Sequence, residues 1–531
     1  LSKASTPSPT PKPTPKPTPK PTPTPAPQPS ELMGKVTAST LNVRSGPGTG
    51  YGVVGTLNNG ASVKIIGEAM NGQTKWYEIL YKGSQKAYVS GSYITITPPK
   101  DWKPSKSFEQ KLTDEGFPES YKEALRELHY QHPNWEFKAY HTDLNWDTVI
   151  KEESLPGKNT IPNSKSLEWL SFQPGAYNWS TDKFIVYDGS YWVTASQEAI
   201  EYYMDPRNFL DEQGIFQFEL LTYQSEYQNK DGVENILQGT PMYKKKYSYK
   251  DEKGKNKSIT YAETFIEAAK YSTVSPYHLA SRVKQEVVTG PNSMSGSVSG
   301  TYKGYEGYYN FYNIGANDSA GGGAIANGLR YAKNGTSNAE TNKRYMIPWD
   351  NRYKSIVGGS QFIGRSYILR GQDTVYLQKF NVTPVSTFFH QYMTNVEAPF
   401  AESKKIEAAY RNMGDSPIVF SIPVYKNMPK NPAPRPTKKY NPNNRLKSLE
   451  VRDSNGNRLS MTPSFSQTQK TYSVFVNSNV SSVRINATTV SNKATVSGTG
   501  NKSIKSGTNK FVIPVKAEDG TVNNYTINVV R

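Results

Sequence analysis

The spacing of apolar residues changes period along this 531-residue chain, so one core cannot serve all of it. Residues 34–98 read as short strands divided by Gly, Asn and Ser turns. Examples are Ser62-Val-Lys-Ile-Ile66, Trp76-Tyr-Glu-Ile79 and Ala87-Tyr-Val89. That pattern predicts a small β-barrel. Residues 446–531 alternate with period two, as in Tyr472-Ser-Val-Phe-Val476 and Tyr525-Thr-Ile-Asn-Val-Val530, and predict a β-sandwich. Between them the period lengthens. Residues 181–425 read as mainly helical, with helices expected over 195–204, 216–223, 261–271 and 321–330. Residues 99–180 open with a helix over 118–129, followed by a strand over 135–140. This accessory α/β segment is assigned to the helical unit that follows it.

Two stretches cannot bury a core. Residues 1–33 are mostly Pro, Thr, Lys and Ser and predict an extended polyproline II linker. Residues 426–445, rich in Pro, Lys and Asn, read as a second linker. The expected fold class is therefore multidomain, with a barrel, a mainly helical centre and a terminal sandwich.

Composition narrows the chemistry. The chain has no cysteine, which excludes disulfides, thiol catalysis and Cys-based metal sites. Its five histidines, at 129, 132, 141, 278 and 390, are scattered and form no HExxH pair; neither a metal nor a cofactor is expected. No apolar run approaches the ~20 residues of a membrane span. The chain begins with Leu1 and reads as a mature or trimmed product. With 63 Lys and Arg against 45 Asp and Glu, the net charge is +18. A polyanion is the expected partner, but no nucleic-acid motif is present.

One stretch carries a catalytic signature, Ser275-Pro-Tyr-His-Leu-Ala-Ser-Arg-Val-Lys-Gln-Glu286-Val-Val. Ser275 suits an N-cap, and Pro276 suits the first helical position. On the projected helix, Leu279, Val283 and Glu286 share a stripe. Burial there would raise the Glu286 pKa, as a general acid requires. The alternative is a helix that frays after Gln285 and leaves Glu286 an ordinary surface residue. About twenty residues on comes Gly304-Tyr-Glu-Gly-Tyr-Tyr-Asn310-Phe-Tyr-Asn-Ile-Gly-Ala316, rich in rings that stack on sugars and amides that bond hydroxyl and acetamido groups.

These two segments, with Phe389-His-Gln-Tyr-Met-Thr-Asn395, resemble the glucosaminidases of glycoside hydrolase family 73. The resemblance spans residues 180–425. It implies a lysozyme-like helical fold and cleavage of the β-1,4 bond between N-acetylglucosamine and N-acetylmuramic acid in peptidoglycan. Glu286 would be the general acid. Three candidates stand for the second group: Glu306, Asp318, or the substrate's own acetamido group positioned by Tyr309, Tyr312 or Asn313. Asn310, His390 and Tyr392 complete the expected substrate-binding set. A muramidase or lytic transglycosylase of related fold, and a silent wall-binding protein, are the alternatives.

Leu41-Asn-Val-Arg-Ser-Gly-Pro-Gly48, with Tyr51, Trp76 and Ala87-Tyr-Val-Ser-Gly-Ser-Tyr93, resembles a bacterial SH3 domain. Arg44, Tyr51 and Trp76 are its groove candidates. Leu446-Lys-Ser-Leu-Glu-Val451 and Glu518-Asp-Gly-Thr-Val-Asn-Asn-Tyr525 resemble the cadherin-like sandwich of bacterial surface proteins. These resemblances imply a secreted, wall-associated protein of a Gram-positive bacterium. Its partners would be glycan strands, with wall peptide or teichoic acid bound by the SH3-like domain and the basic surface.

Overall fold

The computed structural model describes residues 32–72, 74–98, 102–318 and 321–531. Nearly all of the Pro/Thr/Lys-rich stretch read as the first linker lies outside them. The described residues divide into two compact units, one built on those up to residue 103 with 129–134, the other on 104–128 and those from 135 to 531.

In the first unit, seven antiparallel strands form one sheet. Its order is Val53–Asn58, Thr40–Arg44, Gln85–Ser90, Thr74–Tyr81, Ser62–Asn71, Met33–Val36, Ile94–Thr97. Alternate residues such as Leu41 and Val43, or Val63 and Ile65, point into one apolar core, as a half-buried strand requires. Trp76 is buried and is not a groove residue. Arg44 donates from Nη1 to the carbonyls of Thr49 and Tyr51 at 3.0 and 2.8 Å, which fixes the loop that carries the exposed Tyr51.

The second unit has a large core drawn from residues 108–425. Within it the strands Glu136–Asn145 and Val419–Lys426 form a parallel pair, with Phe137 opposite Phe420 and Ala139 opposite Ile422. The accessory segment therefore shares the core of the helical region. The helix Tyr261–Ser272 begins with a capping box between Thr260 and Glu263. Against it packs Arg352–Arg365, where Ser360 Oγ donates to the Ala268 carbonyl at 3.3 Å. Glycine permits close approach here: a Cβ on Gly359 would stand 2.6 Å from the Tyr312 ring.

One expected helix is largely absent. Over 216–223 only a 3-10 turn, Gly214–Phe218, forms. Beyond it the chain is extended, with Leu220 N–H donating to Val419 O at 2.9 Å and Leu221 N–H to Asp373 O at 2.8 Å. Phe216, Phe218, Leu220 and Leu221 are all buried. An apolar run buried all round carries no helical stripe, so its period cannot separate helix from strand.

The stretch read as a second linker lies bound along the unit. Asp205 and Arg207 form a buried pair at 2.7 Å. Arg207 donates to the carbonyls of Pro429 at 2.8 Å and Asn431 at 3.1 Å, and Ala433 N–H donates to Asp205 Oδ2 at 2.9 Å. Further on, buried Asn443 donates to Trp179 O at 3.0 Å and Asp182 Oδ1 at 3.1 Å. The sandwich follows as two four-stranded sheets. One centres on Leu446–Arg452 and Ser482–Thr489, the other on Val522–Val530 and Thr508–Lys516. The expected multidomain class thus describes the molecule: an all-β domain, a mainly helical centre and a β-sandwich.

Candidate active site

Ser275 caps the helix Pro276–Val287, its Oγ accepting from His278 N–H at 3.3 Å. The residues it buries, among them Leu279, Ala280, Val283 and Val287, make a stripe centred one step away from Glu286. Glu286 therefore flanks the apolar face instead of lying within it. The helix does not fray before Glu286, and the side chain is 33% exposed. Its Oε1 lies 3.5 Å from the Arg282 guanidinium one turn back, an exposed pair of small worth. Its Oε2 accepts from Asn313 Nδ2 at 3.2 Å, and the same amide donates to the Glu286 carbonyl at 2.9 Å. The acid candidate and the aromatic–amide segment thus meet through one side chain.

The other residues of that segment separate into structural and open ones. Asn310 is fully buried. It donates to Ile314 O at 2.8 Å and Gly328 O at 2.9 Å, and accepts from Ile314 N–H at 3.1 Å. Every polar atom of its side chain is committed to backbone groups of Ile314 and Gly328, so it is not a sugar ligand. Tyr312 is buried with its hydroxyl donating to Ile356 O at 3.0 Å; it is a core residue, and burial holds its pKa far above the usual phenol value. Tyr309 is half-buried with the Arg352 guanidinium 4.7 Å from its ring centre.

Glu306 is exposed on the loop before Tyr309, with Oε1 accepting from Gly304 N–H at 3.1 Å. Backbone N–H groups of Glu306 and Gly304 hold its carboxyl below the usual range, so it is a carboxylate at neutral pH. Asp318 is exposed at the far end of the segment. Among the described residues Glu286 meets Arg282 and Asn313, while Glu306 is held by backbone N–H groups of its own loop.

The 389–395 motif sits on a differently built loop. Buried Asn381 donates to the carbonyls of Val385, Ser386 and Phe389 at 3.0, 2.9 and 2.8 Å. Ser386, Phe388 and His390 all have positive φ, at 55°, 67° and 57°. For non-glycine residues that conformation costs energy and persists only where the surroundings impose it. His390 Nε2 lies 3.1 Å from Arg370 Nη1, and Nδ1 lies 2.8 Å from Gln372 Oε1. Since the guanidinium can only donate, Nε2 accepts and Nδ1 carries the proton. The Tyr392 hydroxyl is buried without a hydrogen-bond partner among the described residues, and burial raises its pKa.

Sequence reasoning passed over three features here. Phe389 is 73% exposed, displayed by the constrained loop. Arg282 stands beside Glu286, a neighbour that its i, i+4 spacing could have revealed. Behind the loop lies a buried charge network. Lys379 Nζ donates to Asn159 Oδ1 and, at 3.0 Å, to Gln391 Oε1; Gln391 donates to Glu153 Oε1 at 2.9 Å. Asn159 donates to Glu153 Oε2 at 2.7 Å. Burial lowers the Lys379 pKa to about 8. Local sequence carries no signal for this network, because Glu153 and Lys379 are 226 positions apart.

Comparison with known proteins follows the same division. Residues 39–95 match the bacterial SH3 domain family, and residues 446–531 match the cadherin-like beta sandwich domain family. A bifunctional autolysin of Staphylococcus epidermidis is 27% identical over 241 residues, 44% of this chain and 16% of the relative. A beta-N-acetylglucosaminidase of Bacillus subtilis is 26% identical over 239 residues, 44% of this chain and 23% of that one. The matched region is thus less than a quarter of either relative. The crystal structure of S. aureus glucosaminidase B aligns with 55% of this chain and 95% of its own, at 22% identity and a TM-score of 0.37. The sequence matches agree with the resemblances read from the motifs: one region matches the bacterial SH3 domain family, one matches the cadherin-like beta sandwich domain family, and the region between them is similar in sequence to autolysins and a β-N-acetylglucosaminidase.

Proposed function

We propose that this chain is a secreted, wall-associated endo-β-N-acetylglucosaminidase. It hydrolyses the β-1,4 bond between N-acetylglucosamine and N-acetylmuramic acid in peptidoglycan. The observation that carries this reading is the meeting of Glu286, at the end of its helix, with Asn313 of the aromatic–amide segment. Glu286 donates its proton to the glycosidic oxygen as the C1–O bond breaks. Water then adds to the anomeric carbon, and its proton passes to a second group. Glu306, ionised and on an exposed loop, suits the base of that step; Asp318 and the substrate acetamido group remain its competitors. The names of the relatives support the same bond. The SH3 and sandwich domains supply wall affinity, which raises local substrate concentration without adding catalytic groups, and the +18 charge favours an anionic wall.

Digestion of purified wall, borohydride reduction and mass analysis test the proposal. Reduced N-acetylglucosamine termini are expected. Reduced N-acetylmuramic acid termini would make the chain a muramidase, and non-reducible 1,6-anhydro ends a transglycosylase. No release of fragments would leave a wall-binding protein.

A further inference from the structure

Glu286 is the second-to-last residue of its helix, where backbone carbonyls run out of helical donors. Its own carbonyl is taken by Asn313 Nδ2 at 2.9 Å, and its Oε2 by the same nitrogen at 3.2 Å. One NH2 group has two hydrogens, one for each acceptor. The carboxyl is thereby tied to the backbone from which it springs. Arg282 cannot provide this restraint, since at 3.5 Å with both side chains substantially exposed the pair is long and solvated.

Asn313 is itself held in place. Its φ is +51°, and Gly315 follows at +73°. Asn310 pins the turn from inside. Phe311 N–H donates to Ser355 Oγ at 3.1 Å, and the Tyr312 hydroxyl holds Ile356 O at 3.0 Å. These bonds fix the backbone on both sides of Asn313.

Resting on the reading of Glu286 as the acid, we propose that Asn313 is a positioning residue for Glu286 and not a ligand of the substrate's acetamido group. Because the amide nitrogen only donates, the oxygen it binds must accept. Oε2 is thereby occupied, and Oε1, held only by the long, solvated contact with Arg282, is the edge of the carboxyl left open to the leaving oxygen. The arrangement spends the rotameric freedom of Glu286 before substrate arrives.

The test uses the full chain and soluble, uncross-linked wall glycan fragments. Asn313→Gly removes the amide but suits φ +51°, so the fold should persist, with at most a small drop in melting temperature from the freed Glu286 carbonyl. Its kcat should fall about 10–100-fold, as loss of alignment at the reacting group predicts, with KM within about twofold. Asn313→Asp keeps the shape and places a second carboxylate beside the first, so the limb of the kcat–pH profile that reports the acid should move to higher pH. A raised KM with unchanged kcat in Asn313→Gly would overturn the proposal and make Asn313 a substrate ligand. Wild-type kcat in Asn313→Gly would overturn it as well. Glu286→Gln separates the two levels. If that variant is inactive while Asn313→Gly is unimpaired, only the positioning role fails; if Glu286→Gln is fully active, the assignment of Glu286 as acid fails.

Discussion

Glu219 offers a stability test independent of catalysis. It sits in the extended stretch after the Gly214–Phe218 turn and is buried. Tyr410 donates to its Oε1 at 2.6 Å, while its Oε2 has no hydrogen-bond partner among the described residues. Desolvation raises its pKa from 4.5 to about 8, despite the Tyr410 hydrogen bond, which lowers it. A folded-state pKa above the unfolded one means that stability is fully present below the unfolded value. It drains away as pH rises toward the folded value. Over the interval from 4.5 to about 8, at about 1.4 kcal/mol per pH unit, the loss is on the order of 5 kcal/mol. Glu219→Gln keeps an acceptor for Tyr410 and removes the titration. Its amide would leave buried N–H groups unpaired, at a cost of about 1–3 kcal/mol, so the sign of its effect at pH 5 is not diagnostic. The pH slope is. Urea unfolding of both proteins at pH 5, 6, 7 and 8 should show the variant gaining on the wild type by several kcal/mol across the range. Taking the difference cancels other groups, such as His278, which burial pushes down to about 3, and Asp373, which burial pushes up to about 6. A difference that stays flat with pH would show that Glu219 does not remain protonated in the fold, and the argument would fail.

Four further outcomes are expected. Glu286→Gln should lower turnover about 10²–10⁴-fold, the usual contribution of a positioned acid, without moving the thermal midpoint; release of reducing ends measures it. Arg207→Ala leaves Asp205 buried beside an empty place and should cost about 3–5 kcal/mol, with limited proteolysis newly cutting within 427–435. A chain ending at residue 426 should melt below one ending at 444, because only the longer one keeps the bonds to Arg207 and those of Asn443 to Trp179 and Asp182. Phe389→Ala should raise KM for soluble glycan severalfold while the melting temperature holds, if its exposed ring stacks on a sugar; an unchanged KM would assign the ring no substrate role.

What the sequence determined is what depends on neighbours along the chain. The strands at Leu41 and Val43, or at Tyr525 and Ile527, follow from alternation, which reports backbone geometry one residue at a time. Ser275 and Pro276 announced the start of the Glu286 helix because capping is settled within one turn. Tertiary structure decided everything that needed a distant partner. The segment containing Leu220 and Leu221 became extended because strand 419–426 offered it hydrogen bonds. Its apolar composition was equally compatible with a helix. The linker-like residues 429–433 lie bound because Asp205 and Arg207 take up their backbone groups, and composition does not reveal such partners. Asn310 and Asn313 looked interchangeable as sugar-binding amides, three residues apart in one motif. The fold buries the first inside its turn and turns the second, through a positive φ, onto Glu286. A side chain's chemistry is written in the sequence, but the atoms it faces are set by backbone brought together from far along the chain.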